Sequence, residues 1–388
     1  MVPSTPRLVI HGFPSSGGGA GTELRHQIRL WRKMDIEVCL IPSTGGSSAL
    51  PEHRELTELG VRVFLQDEWK ILRPGDRVLS FCNQHTLKRI DQIIHAGALL
   101  VFINCMTELF GMERGLAPEG KIAAFGYQNP AVRGKLEAEL RGSGCRDSTL
   151  FFDFEPWLDP ELFPFHFARD ANSFVMGHIS RPDPAKFSND TAAIYNAVES
   201  PVPKRGIFLG FNFRCAAKTG PLPDWIDRFS SHSQMDPREF YRRCHVILQP
   251  TDTTENWPRI GLEAMASGTV LIVDDRGGWQ RMIEHGKTGF LCKTPEEFSS
   301  YASLLARDPE LRGKIARQAY EVFMERTSYA KCAESWSRVM KLFESLPYTY
   351  HEVQKKLVQS DSGVGAEGGV SHGTMGEARK RPARRIGI

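Results

Sequence analysis

QPTDTTENWPRIGLEAMASGTVLIVDDRGGWQRMIEHGKTGFLC, residues 249–292, decides how the rest of the chain is read. The apolar run His245–Leu248 that leads into it reads as a buried strand. Pro250–Pro258 is polar and turn-rich, so it reads as a loop at that strand's carboxyl end. Arg259–Ser267, with Leu262, Glu263, Ala264, Met265 and Ala266, has the composition of a helix, and Gly268 stands as its C-terminal stop. A second apolar run, Thr269–Val273, follows at once. Strand, loop, helix, strand is the unit of a parallel sheet. Ligands of such sheets lie beyond the carboxyl ends of the strands, so the loop and the helix start face a site.

Two carboxylates mark this unit: Glu255 in the loop and Glu263 in the first turns of the helix, with seven residues between them. A helix start offers unpaired backbone N–H groups and a partial positive charge, which suits a phosphate or diphosphate. A carboxylate one or two turns further in can accept hydrogen bonds from sugar hydroxyls beside that phosphate. The plain alternative is a solvated helix face and an ordinary loop acid, and spacing alone does not choose between them.

A longer pattern does. Glu255, the aromatic Trp257, and Gly261-Leu262-Glu263-Ala264-Met265-Ala266-Ser267-Gly268 resemble the signature of glycosyltransferase family 4. The pattern continues through Gly277-Gly278, Ile283 and Gly286-Lys287-Thr288-Gly289-Phe290-Leu291. That family comprises retaining, nucleotide-sugar-dependent enzymes of GT-B fold. The resemblance implies α/β architecture with two Rossmann-like, doubly wound domains facing each other across a cleft. One departure stands out: the common form has Phe-Gly where this chain has Trp257-Pro258. Pro258 removes a backbone N–H, so one phosphate donor of the common pattern is either missing or supplied by Arg259.

The chain has 388 residues, more than one core usually serves, so two domains are expected. Forty-nine Lys and Arg against 46 Asp and Glu leave a formal charge of +3, too little to argue for a nucleic-acid partner. The eight cysteines are scattered without a Cys-x-x-Cys pair, several inside apolar runs such as Val38-Cys39-Leu40. They read as reduced core residues of a cytoplasmic protein, neither a disulfide framework nor a zinc site. The first residues lack the charged and apolar regions of a signal peptide, and no run approaches the roughly 18 apolar residues of a membrane span.

The first half opens with a strand at Arg7–Phe13, a glycine-rich turn at Pro14–Gly21, a helix at Thr22–Met34 and a strand at Ile36–Ile41. Glycines let backbone approach a ligand closely. The run does not fit the dinucleotide fingerprint, and Pro42-Ser43-Thr44 stands where a ribose-binding acid would end the second strand. Nor is it a P-loop, because Gly18 stands in place of the lysine. An unliganded turn remains the alternative. Further strands are expected at Val61–Leu65, Arg77–Phe81, Leu99–Asn104 and Ile122–Phe125, with helices at Glu52–Leu59, Gln84–His95 and Ala131–Gly142. Phe151–Phe167, dense in proline and aromatics, reads as an ordered linker, and the acids Asp153 and Glu155 within it as structural.

In the second half, Asn172–Ile179 reads as a strand and Ser180–Phe187 as the loop after it. Arg181 and Lys186 there can bracket a diphosphate, Arg as a fork and Lys as a point charge. Gly206–Gly210 and Pro237–Cys244 read as strand and helix, and Pro295–Arg307, Pro309–Arg326 and Tyr329–Leu346 as amphipathic helices. The division expected is an acceptor-side domain over 1–165, a nucleotide-sugar domain with a crossing helix over 166–346, and a largely disordered basic tail over 347–388. The alternative to a merely solvated tail is contact with a membrane or acidic surface.

The family resemblance implies transfer of a sugar from a nucleoside diphosphate sugar to an acceptor, with configuration retained and without a metal or other cofactor. By the same resemblance Arg181 and Lys186 hold the diphosphate, and Glu255 holds the hydroxyls of the transferred sugar. Glu263 takes the ribose, the segment Trp257-Pro258-Arg259-Ile260 lies beside the donor, and Gly18 and Gly19 face it across the cleft. The family's histidine after the Leu99–Asn104 strand is absent, and Asn104 or Thr107 stands in its place. Near Ser231-His232-Ser233 the resemblance expects passage of the nucleobase. Two other readings stay open: a non-hydrolysing sugar-nucleotide epimerase of the same fold, and a catalytically silent sugar-nucleotide-binding protein. The acceptor is not legible in any motif.

Overall fold

The computed structural model describes residues 6–14, 17–166, 168–346 and 350. The basic tail expected over 347–388 therefore lies outside the described residues, Tyr350 excepted. The first sheet has seven parallel strands: β1 (Arg7–His11), β2 (Glu37–Ile41), β3 (Arg62–Val63), β4 (Arg77–Phe81), β5 (Leu99–Asn104), β6 (Ile122–Tyr127) and β7 (Leu150–Asp153). They are ordered β3-β2-β1-β4-β5-β6-β7. Its helices are α1 (Gly19–Lys33), α2 (Pro51–Glu58), α3 (Gln84–Leu87), α4 (Ile90–His95), α5 (Gly111–Leu116) and α6 (Pro130–Gly142). β5 and β6 are buried at every residue, as strands covered by helices on both faces must be.

The second sheet has six parallel strands, β8 (Phe174–Ile179), β9 (Lys204–Leu209), β10 (Ile226–Phe229), β11 (Val246–Gln249), β12 (Val270–Asp274) and β13 (Phe290–Cys292), ordered β10-β9-β8-β11-β12-β13. Its helices are α7 (Thr191–Ala197), α8 (Phe213–Thr219), α9 (Pro237–Arg243), α10 (Arg259–Ser267), α11 (Trp279–Met282), α12 (Pro295–Arg307) and α13 (Pro309–Arg326). Helix α14 (Tyr329–Glu344) leaves this half and packs Cys332, Trp336, Val339 and Phe343 into the first core beside Leu8 and Trp31. The Trp31 and Trp336 rings meet edge to face at 4.8 Å. Among the described residues, no helix is long and apolar enough to cross a membrane.

The fold expected from the sequence is the fold found, with corrections of detail, the first being that the single helix expected at Gln84–His95 is two short ones, α3 and α4. The segment read as a linker from Phe151 begins instead as β7, paired to β6 from Ala124↔Leu150 to Tyr127↔Asp153. Adjacent Phe151 and Phe152 enter different clusters of the core, as in a strand buried on both faces, and the prolines that suggested a linker begin only at Pro156. Helix α1 starts at Gly19 rather than Thr22, because Gly18, at φ 98°, supplies the turn into the helix. Few residues other than glycine adopt that angle.

Loss of the crossing helix's anchor should be felt in the first half. Trp336→Ala removes a fully buried ring and is expected to lower the unfolding free energy by about 3–5 kcal/mol, read from urea denaturation.

Candidate functional site

Both sheets reverse their strand order once, between β1 and β4 and between β8 and β11. Connections from two such strands leave in opposite directions and open a crevice at their carboxyl ends. In the first half this brings the turn after β1 to the turn after β4, where a Cβ on Gly12 would stand 3.2 Å from Asn83 Nδ2. In the second half it brings the β8–α7 loop, with Arg181 and Lys186, to the β11–α10 loop, with Glu255.

Lys186 Nζ donates to Glu255 Oε1 at 2.6 Å. Backbone bonds clamp the two loops: Ser188 N–H donates to Pro250 O at 3.1 Å and Asp252 N–H to Ala185 O at 3.3 Å. Lys218 adds an ion pair to Asp252. From beneath, His178 at the end of β8 stacks on Phe187 with ring centroids 4.1 Å apart and contacts Lys186 O through Nε2 at 3.0 Å. Burial pushes the His178 imidazole down to about 3, so it stays neutral and acts as a spacer rather than a charge.

Glycine sets the positions of these loops. The backbone of Gly277–Gly278 presses on Glu255–Asn256, and Gly278 N–H donates to Glu255 O at 2.7 Å. A Cβ at Gly278 would stand 2.2 Å from Asn256 O, and one at Gly277 2.5 Å from Glu255 O. On the other side, Gly210 at φ 87° lies so close to the start of the Arg181 loop that a Cβ would stand 1.8 Å from Ser180 O. Arg181 itself is exposed, with Asp183 at 3.6 Å.

Helix α10 begins as the sequence indicates, with Pro258 before it, no side-chain cap and no acid in its first turn. Its initial N–H groups thus retain capacity for an anion. Glu263 is buried within it, Oε2 accepting the Tyr241 hydroxyl at 2.9 Å, and burial raises its carboxyl above the usual range. Trp257 and Ile260 are half-buried against the core of the second half, and Pro258 is buried. The Arg259 guanidinium is buried too, with Nη1 donating to Glu23 Oε2 and to Trp157 O, both at 2.9 Å. Across the cleft, a Cβ on Gly18 would come to 3.5 Å from Arg181 Cδ, and one on Gly19 to 3.9 Å from Arg259 Cγ. The glycine turn thus lies against the side chains of the second half.

Asn104 is committed elsewhere. Its Nδ2 donates to both Glu113 oxygens, at 2.9 and 3.1 Å, and to Glu108 O at 3.1 Å, while its Oδ1 accepts from Met106 N–H at 2.7 Å. This commits both of its N–H groups, so Asn104 supports the turn after β5 and is not free to donate in a histidine's place. His85 is exposed on the short helix α3, as a surface residue. Sequence reasoning missed His178, Glu23 and Asn256. Asn256 is 4% exposed, with neither side-chain atom partnered. Only its place beside Glu255 signalled it. Among the described residues, no group of three or more His, Cys, Asp or Glu is placed to hold a metal ion.

Residues 213–322 match the family model described as glycosyl transferases group 1. The protein YtcC of Bacillus subtilis (strain 168), whose name assigns it provisionally to the glycosyltransferases, is 31% identical over 87 residues. That alignment takes in 22% of this chain and spans about a fifth of the curated relative, 21% of its length. Among solved structures, Anabaena HepE in complex with UDP and glucose superposes with a TM-score of 0.65 at 17% identity, over 87% of this chain and 99% of that one. TarM gives 0.70 at 11% identity, over 89% and 100%. The pneumococcal O-GlcNAc transferase GtfA, in complex with UDP and GlcNAc, gives 0.65 at 11%, over 88% and 100%. The fold is GT-B: two Rossmann-like halves whose strand ends face one cleft.

Glu113 offers a test of the β5 turn that does not depend on activity. Burial raises its folded pKa to about 7 from an ordinary value of 4.5, outweighing the bonds from Asn104 and Phe110 N–H that favour the anion. The native state then holds the proton more tightly than the unfolded chain. Stability should be fullest below about pH 4.5 and fall as pH rises toward 7. Glu113→Gln is expected to flatten that slope in urea midpoints measured across the window.

Proposed function

We propose that the protein transfers a sugar from a nucleoside diphosphate sugar to an acceptor, with the anomeric configuration retained, as a member of glycosyltransferase family 4. The observation that carries this reading is the meeting of Lys186 and Glu255 at 2.6 Å beside the uncapped start of α10. A cation, a carboxylate and free helix N–H groups at one switch point match the needs of a diphosphate joined to a sugar. The group 1 match and the similarity to HepE and GtfA, both solved with UDP, support it and make a uridine diphosphate sugar the first donor to test.

In this mechanism the donor's diphosphate displaces the internal ion pair. Lys186, Arg181 and the N–H groups of α10 take its charge, and Glu255, released, accepts hydrogen bonds from the transferred sugar. Fixed donors aimed at a leaving oxyanion contribute about 3 kcal/mol each in comparable sites. Glu263, held by Tyr241, receives the ribose hydroxyls. The bond from the anomeric carbon to the phosphate oxygen breaks while the acceptor oxygen bonds on the same face. The departing phosphate takes the acceptor's proton, so no protein base is required. Gly18 and Gly19 close the donor from the first half and keep water out. The chemistry uses no metal, and the transferase works as a cytoplasmic protein.

Glu255→Gln should preserve the fold and most UDP affinity while cutting sugar transfer severely. An unchanged turnover number, with products followed by mass spectrometry, would sink the assignment. The same spectra separate a new glycoside from an epimerised donor. Lys186→Ala should weaken UDP and the intact donor alike but leave uridine nearly unaffected in calorimetry. Equal losses for uridine and UDP would show a disturbed domain instead of a lost phosphate contact.

A further inference from the structure

Helix α1 starts at the glycine turn and carries Glu23, which has no solvent exposure. Its carboxylate is a node. Oε1 accepts from Gln27 Nε2 at 2.7 Å, and Oε2 accepts from Gln128 Nε2 at 2.7 Å and from Arg259 Nη1 at 2.9 Å. Gln27 in turn donates to Glu155 O at 3.2 Å and accepts from Trp336 Nε1 at 2.6 Å. One carboxylate therefore ties the glycine-turn helix, the end of β6, the segment after β7, the crossing helix and the first residue of α10.

The ion pair in this node joins the two halves, with side-chain exposures of 3% for Arg259 and 0% for Glu23. It is an expensive way to hold them. Burying both charges forfeits their hydration, and well-packed apolar side chains often stabilise as much or more. Arg259 also leaves Nε and Nη2 buried without a partner, a further cost where each unpaired donor destabilises. Stability is thus a poor reason for the pair, whereas fixing one geometry is a use for which buried ionic contacts are suited. The geometry it fixes is that of the glycine turn, which leads directly into α1 and stands over Arg181 and Arg259. A second bond, Asn129 Nδ2 to Asn256 O at 3.2 Å, holds the loop of Glu255 to the first half nearby.

We infer that Glu23 and Arg259 are positioning residues: their buried ion pair sets the glycine turn of the first half at a fixed height over the start of α10, and so the depth at which a donor sugar is held against Glu255. The inference rests on the transferase reading for its catalytic consequence, but not for its structural one. The Arg259 side chain acts through Glu23 and α1 and does not itself hold the diphosphate.

The test uses the full chain in four forms: wild type, Glu23→Gln, Arg259→Met, and both together. Hydrogen–deuterium exchange should show the amides of Gly18–Leu24 and Arg259–Leu262 opening faster together in each single variant. Turnover of whichever sugar nucleotide the wild type consumes should fall about tenfold or more, with UDP affinity within about threefold. The double variant, freed of an unpaired buried charge, should recover melting temperature without recovering turnover. A merely structural pair would restore both together. The inference is overturned by parallel recovery, by a folded single variant with wild-type turnover, or by UDP affinity falling in step with turnover, which would make Arg259 a phosphate ligand. If the wild type consumes no sugar nucleotide, the transferase reading falls by itself. Exchange then decides for the pair, and unchanged exchange at both segments in the single variants would overturn it.

Discussion

Close approach of backbone to backbone, possible only at glycine, is the constraint on which the cleft depends. Gly277 and Gly278 let the connection after β12 lie flat on Glu255 and Asn256, and Gly210 lets the connection after β9 press on Ser180. With the loops wedged from outside, Lys186 and Glu255 have one place to meet. The signature's distant glycines and its carboxylates therefore belong to one mechanical unit. The first group fixes the backbone from which the second projects. Rigid support of this kind keeps polar side chains poised for a ligand without reorganisation when it binds.

Charge is arranged in two layers behind this backbone. At the surface of the cleft, Lys186 and Glu255 are paired and partly solvated, so a ligand can exchange for either partner. Beneath it lie groups that burial keeps neutral or paired: His178 under Lys186, Glu263 on Tyr241, and Glu23 on Arg259. The outer layer can respond to a diphosphate while the inner one holds its shape. The overall charge of the chain says nothing of either layer.

Much of this is legible in the sequence. Helix α10 and its Gly268 stop, β4, β5, α12 and α13 fall where periodicity and capping residues put them, because each is a local pattern with local punctuation. The nearness of Lys186 and Glu255 is what the family resemblance implies, and the switch point between β8 and β11 is what brings their two loops together. What was not legible depended on tertiary pairing. β7 hid in a run that resembled a linker, since a strand buried on both faces has no alternation to show. Asn104 looked free because its partner, Glu113, belongs to a short helix that the sequence did not announce. Arg259 read as a phosphate-side cation because nothing local reveals a carboxylate 236 positions earlier in the chain.

The crossing helix has a consequence for how the molecule comes into being. Trp336 and Phe343 complete the core that Leu8 and Trp31 begin, so β1 waits on α14, which is made after the whole of the second sheet. While the second half is being synthesised, the first carries an open apolar flank where α14 will sit. Exposed surface of that kind invites aggregation or chaperone capture. The two halves are thus separate as sheets but a single unit on the ribosome. The first half cannot be excised as an autonomous module without leaving its core unfinished.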